Sequence, residues 1–200
     1  MGLNKGQFYI ISAAIIILVL TLIQISLREY GTKNFDFEKS YNINYFNEIK
    51  REISISYFLE NDRSIENFVD FLGFVEKNIN EKRFDFDSVS VILLNTNNNP
   101  SKLNLTVVNF LDEPTEITFL INSTTSQEKT LYIDKKQTNS TLFDVSRNED
   151  YKISFSTRNG FYEIKLDLIE KDLHVLFSEI LIQGKNIYYI DKFEKHIFLQ

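Results

Sequence analysis

The sequence predicts a membrane-anchored α+β chain: an N-terminal transmembrane α-helix, a short helical segment, and then an all-β antiparallel sandwich. Three observations carry this reading. An uncharged apolar run extends from Phe8 to Leu27, apolar residues then recur at helical spacing up to about position 82, and beyond Phe84 the spacing shortens to two. Organisation follows from these switches: a leader over 1–6, a membrane helix over 7–28, a linker over 29–40, two amphipathic helices within 41–83, and a β-domain over 84–200.

About 20 helical residues rise about 30 Å, the thickness of a bilayer's hydrocarbon core. The polar members of the run, Ser12, Thr21, Gln24 and Ser26, are neutral, and their hydroxyls can bond back to the helix. A secretory signal would end its apolar region in a small-x-small cleavage site. Here Ser12, Ala13 and Ala14 stand near the start, and the far end reads Gln24-Ile25-Ser26-Leu27-Arg28, so the helix is expected to be retained. The bilayer is thus the first partner implied, through Phe8–Leu27.

The 200 residues carry a formal net charge of −6, and all 28 acidic residues lie beyond Leu27. Nucleic acid is not expected as a partner, because phosphate binding needs clustered Lys and Arg. With no cysteine, disulfides, thiolate ligands and thiol catalysis are excluded. Eighteen Phe and ten Tyr point to a folded core after the anchor.

The junction Lys5-Gly6-Gln7-Phe8-Tyr9-Ile10 resembles the class III signal peptide of archaeal type IV pilin-like proteins. The resemblance implies a prepilin peptidase as a partner, cutting between Gly6 and Gln7 and leaving the apolar helix on the mature chain. It also implies self-association or association with other pilin-like subunits. One archaeal subfamily continues with Ser, Glu and Leu where this chain has Tyr9, Ile11 and Ile15. In pilins the Glu is thought to pair with a neighbouring subunit's terminal amine, and Ile11 removes that pairing while leaving the anchor intact.

Orientation rests on opposing signals. Lys5 and the free amine precede the helix, whereas Arg28, Lys33 and Lys39 follow it, which taken alone favours an internal C-terminus. The pilin-like junction and three glycosylation sequons, at Asn104, Asn122 and Asn139, favour an extracytoplasmic one. The expected location is the cytoplasmic membrane, single-pass, with the C-terminal domain outside.

Along the chain, Tyr45, Phe46, Ile49, Ile53 and Tyr57 form one helical stripe near 41–60. Ile65, Phe68, Val69, Leu72, Val75 and Ile79 form a second near 64–82. Alternation then marks Leu103–Val107, Ile117–Ile121, Ile153–Phe155, Tyr162–Leu168 and Leu173–Phe177. Turn residues separate these runs, with Asn159-Gly160 the strongest hairpin signal. About eight to ten short strands are expected. The segment from Val108-Asn109-Phe110 through Glu113-Pro114 to Ile117-Thr118-Phe119 resembles hairpins of immunoglobulin-like domains in archaeal surface and pilin proteins.

No catalytic residue, cofactor site or metal site emerges. His174 and His196 lack ligand partners at suitable spacing and read as solvent-facing strand residues. Asp85 and Asp87 share a strand face but lack the rest of a calcium loop. There is no Gly-x-Ser-x-Gly and no phosphate-binding glycine loop. The expectation is a structural or assembly subunit rather than an enzyme, with a surface binding module or adhesin that does not polymerise as the alternative. Outward aromatics such as Tyr188 beside Tyr189 are candidates for interface area.

Overall fold

The computed structural model describes residues 42–57, 65–96, 101–146, 149–167, 172–185 and 187–199, together with Thr21. The expectations for Lys5, Gly6, Gln7 and the run Phe8–Leu27, Thr21 apart, lie outside the described residues. Among the described residues no helix is long and apolar enough to cross a membrane. The chain divides into two units at Tyr45, and residues 46–200 form the larger.

The described residues hold two helices and nine strands, and all nine strands lie in that unit. Helix α1 spans 42–57, and α2 spans Ile65–Glu81. The strands are β1 (Asp85–Asn95), β2 (Lys102–Asn109), β3 (Thr115–Asn122), β4 (Ser126–Ile133) and β5 (Gln137–Asp144). They continue as β6 (Asp150–Thr157), β7 (Gly160–Asp167), β8 (Asp172–Gln183) and β9 (Tyr188–Leu199). One sheet has the order β5-β2-β1-β8-β9, the other β4-β3-β6-β7, and every pairing is antiparallel.

Each helix buries most of the stripe that its spacing predicts, with Tyr45, Ile65 and Val69 only half-buried. Phe46, Ile49, Ile53 and Tyr57 are buried in α1, and Phe68, Leu72, Val75 and Ile79 in α2. Glu66 places a carboxylate in the first turn of α2, where the helix dipole favours it. At the other end Arg83 takes a left-handed φ of 65°. Its N–H donates to the Asn80 carbonyl (2.9 Å) and that of Phe84 to the Ile79 carbonyl (3.3 Å). This is a Schellman closure, and it turns the chain directly into β1.

The five-stranded sheet is covered on both faces. Odd-numbered positions of β1 and β8, including Val89, Val91, Leu93, Leu173, Val175 and Phe177, enter the core between the sheets. The alternate positions Phe86, Ile92, Leu176, Ile180 and Ile182 are also buried, on the face that receives the helices. Tyr57 of α1 lies against Phe68 of α2 and His174 of β8, with ring centroids 5.9 and 6.5 Å away. Phe46 meets Phe84 edge-on at 5.2 Å. On this face Ser90 and Ser178 share a 2.8 Å hydroxyl hydrogen bond. His174, expected to face solvent, is therefore buried: its strand face is the predicted one, but a helix occupies that face.

Between the sheets, Phe155 is the aromatic centre. Its ring lies 5.2 Å from Phe119, 5.2 Å from Phe177 and 5.7 Å from Tyr162. Offset and edge-on pairs at these spacings add to the burial of area.

Two turns refine the sequence expectation. In the β6–β7 hairpin Thr157 pairs with Gly160, so the two-residue turn is Arg158-Asn159, one position earlier than Asn159-Gly160. Neither turn residue has positive φ, so this is not the mirror-image turn that an Asn-Gly pair signals. In the β8–β9 connection the Gly184 N–H donates to the Ile187 carbonyl (2.8 Å). A Cβ on Gly184 would fall 2.4 Å from the Phe84 ring, so a larger residue there would have to displace that ring.

Along one side the edge strands β4 and β5, which belong to different sheets, are tied by side chains. The Gln127 amide donates to the Asp144 carbonyl (2.6 Å) and accepts from the Asp144 N–H (3.1 Å). Asn139 donates to the Tyr132 carbonyl (2.9 Å), and Lys129 donates to the Leu142 carbonyl. These contacts occupy edge carbonyls that an open sheet would present to another chain. Buried Asn109 performs a similar task at the loops, donating to the carbonyls of Glu113 (2.9 Å) and Asp134 (3.1 Å) and accepting from the Leu111 N–H (3.2 Å).

Candidate functional site

One end of the sandwich gathers most of the polar chemistry. Glu179 of β8 falls at the same strand parity as Val175 and Phe177, which puts its side chain between the sheets at 4% exposure. A carboxylate there needs donors, and the β6–β7 hairpin supplies three. The Thr157 hydroxyl donates to Oε2 (2.8 Å), the Asn159 amide donates to Oε1, and the Tyr162 hydroxyl donates to Oε2. The turn at Arg158-Asn159 brings all three to one carboxylate.

Burial, and then the neighbouring Glu179 carboxylate, push the Tyr162 phenol up to about 12. The Lys192 ammonium stands over the Tyr162 ring, 4.6 Å from its centroid. With both oxygens engaged, Glu179 organises the hairpin instead of presenting a free base.

Beside it lies a shallow crevice that Asp87, Leu111, Arg158, Asn159 and Glu179 help to line. Burial pushes the Asp87 carboxyl above its ordinary value, and Asp112 reinforces the shift; Arg158 opposes it. Arg158 itself donates to Glu113 (2.7 Å). An acid whose folded pKa is raised costs stability because the unfolded chain ionises first. That cost is absent below the unfolded value of 3.8, grows as pH rises towards the folded pKa, and is constant above it. Asp87→Asn is accordingly expected to raise the thermal midpoint at pH 7, with the gain shrinking towards zero below pH 3.8. Melting curves of the two proteins from pH 3 to 7 check this, and an equal gain at both extremes would assign it to packing.

The second polar focus is at the opposite end. Glu149 accepts from the hydroxyls of Ser123 (3.0 Å) and Tyr151 (3.3 Å), and the Tyr151 oxygen accepts from the Ser146 N–H (2.6 Å). An open groove nearby is lined by Asn122, Asp150, Lys152, Lys165 and Asp167 among others.

The sequon residues occupy three different environments. Asn104 lies inside β2, half-buried and paired with Leu94 on one side and Leu142 on the other. The hydroxyl of its sequon residue Thr106 is bonded to Ser140 (2.8 Å), and Thr106 is buried. Asn122 ends β3 at the turn into β4, beside exposed Thr124. Asn139 is exposed on edge strand β5 with its amide donated to Tyr132. The structure does not bring the three together.

His196 contacts Glu194 on β9, and both side chains are partly exposed. Asp85 is exposed at the start of β1, two positions before Asp87. Among the described residues no group of three or more His, Asp or Glu could hold a metal ion. Tyr188 is 61% exposed, whereas Tyr189 turns inward and lies 5.4 Å from Phe46.

Sequence reasoning passed over Glu179 and Asn109. Each had a legible signal: a charged residue at core parity inside the apolar run Leu173–Ile182, and an Asn directly after Val107-Val108. The chain matches no known protein family, no curated protein and no solved structure.

Proposed function

We propose that this chain is a membrane-anchored surface protein, a pilin-like or pseudopilin-like structural subunit whose β-domain is extracytoplasmic. The observation that carries the reading is the Lys5-Gly6-Gln7 junction directly before the uncharged run Phe8–Leu27, ahead of an acidic, aromatic-rich domain. The domain suits a structural role: its most buried carboxylate is saturated by hydrogen bonds from the β6–β7 hairpin. The kinship to immunoglobulin-like surface domains belongs to the same proposal and rests on the packing of two antiparallel sheets. Glycosylation, if the domain is outside, falls most readily on Asn122 or Asn139, which stand at a turn and on an exposed edge.

The mature N-terminus tests the reading. Peptide mass spectrometry of the membrane fraction is expected to find Gln7 first; a start at Met1 or Gly2 removes prepilin-type processing, and a start beyond Leu27 removes the anchor. Proteolysis of intact cells should digest residues 41–200, and their protection would reverse the orientation. Ile11 favours a second reading, a single-pass binding module that does not polymerise, because the filament-forming carboxylate is missing. Electron microscopy of shed material separates the two, with filaments containing this chain supporting the first.

A further inference from the structure

The four sheet edges are not equivalent. β4 and β5 are tied to each other by side chains, and β7 is an eight-residue strand, whereas β9 is a twelve-residue edge with β8 as its one sheet neighbour among the described residues. Tyr188 and Ile190 are 61% and 42% exposed on one face of β9, and Lys192 and Glu194 are exposed on the same face, with the Lys192 ammonium over the Tyr162 ring of β7.

Charges along an edge ordinarily discourage pairing with other strands. The order of charges on β9 makes one exception. Read antiparallel to itself about Phe193, the strand sets Lys192 opposite Glu194 and Asp191 opposite Lys195, each twice, with Ile190 opposite His196 and Tyr189 opposite Ile197. Residues opposite one another keep the same face, as a two-fold axis normal to the sheet requires. Moving the centre one residue to Glu194 sets Lys192 against His196, and moving it to Lys192 leaves no opposite-charge pair. Only the Phe193-centred register sets each of these four charges against an opposite one, adding to the contacts that Asp191 makes with Lys50 of α1 and Glu194 with His196 in the same chain.

We propose that β9 is a homodimerisation edge: a second copy of this chain pairs antiparallel along it about Phe193, joining two five-stranded sheets into one of ten. The edge supplies main-chain hydrogen bonds, the exposed Tyr188 and Ile190 supply apolar area, and the charges fix the register. The dimer does not depend on how the N-terminus is processed, so its failure and that of the anchored reading are separately visible.

The experiment uses the full chain in detergent and exploits the absence of cysteine. In the paired state the two Phe193 Cα atoms stand about 4.5–5.5 Å apart, inside the range that a disulfide spans. F193C is expected to form a disulfide-linked dimer under mild oxidation. Y188C serves as the control, because its two copies would lie ten residues apart along the strand, about 33 Å.

Charge variants, read by sedimentation, keep the test independent of how well F193C folds. K192E and E194K each place like charges opposite one another twice, and each should weaken dimerisation about tenfold. The combination K192E/E194K restores opposite pairing and should restore the wild-type dimer fraction. A monomeric wild type, cross-linking of F193C no better than of Y188C, or a double variant as weak as the singles overturns the proposal.

Discussion

Phe155→Ala should be the most damaging single truncation in the sandwich, lowering stability by about 3–5 kcal/mol. Phe155 is 2% exposed and belongs to an aromatic group with Phe119, Tyr162 and Phe177, drawn from β3, β7 and β8. Its removal deletes contacts to both sheets at once, and a close-packed interior collapses only partly around the cavity. For a domain of this size, each kcal/mol moves the midpoint by roughly 2–4 °C, so a fall of about 10 °C is expected in thermal melts of the full chain. Phe161→Ala, six residues along on a side chain 65% exposed, is the control and should change the midpoint little. A Phe155→Ala loss below about 1 kcal/mol would show that the aromatic group is not the packed centre.

Glu179→Ala comes second, at about 2–4 kcal/mol, for a different reason. Truncation leaves the hydroxyls of Tyr162 and Thr157 and the Asn159 amide at a buried position without their shared acceptor. Glu179→Gln keeps one acceptor oxygen and should lose less. The double variant Glu179→Leu with Tyr162→Phe removes donor and acceptor together, and part of the loss should return. Denaturant unfolding of the wild type, Glu179→Leu, Tyr162→Phe and their combination measures the coupling. Additive losses for the two positions would mean that Tyr162 and Glu179 do not share the bond.

The sequence conveyed periodicity well and burial less well. Helical stripes over 45–57 and 65–79 and the change of period near Phe84 arise from local side-chain spacing, which needs no knowledge of the partner surface. His174 was misjudged because alternation tells which face a residue is on, not whether another layer covers it. The sign of that layer was present: β1 and β8 read as nearly continuous apolar runs, Val89–Leu94 and Leu173–Ile182, as strands covered on both faces do. Strands β4 and β5 escaped notice because Ser126–Thr130 and Gln137–Ser140 are almost wholly polar. Their place in the sheets is fixed by pairing with β3 and β2 and not by any pattern of their own. The Arg158-Asn159 turn shows the same limit: composition located the hairpin, while cross-strand packing chose the residue at which it bends. Glu179 was hidden because its donors come from a hairpin about 20 residues upstream.

The pairing of β1 with β8 has a consequence in time. Ser88 and Ser178 meet at the centre of the first sheet, yet 90 residues separate them. A ribosome adding about 5–20 residues per second needs roughly 5–20 s to cover that distance. Through that interval Val89, Val91 and Leu93 have β2 on one flank and no β8 on the other. This apolar strand of the nascent chain waits longest for its second neighbour, and the delay favours whichever chaperone or membrane surface shields it until β8 is made.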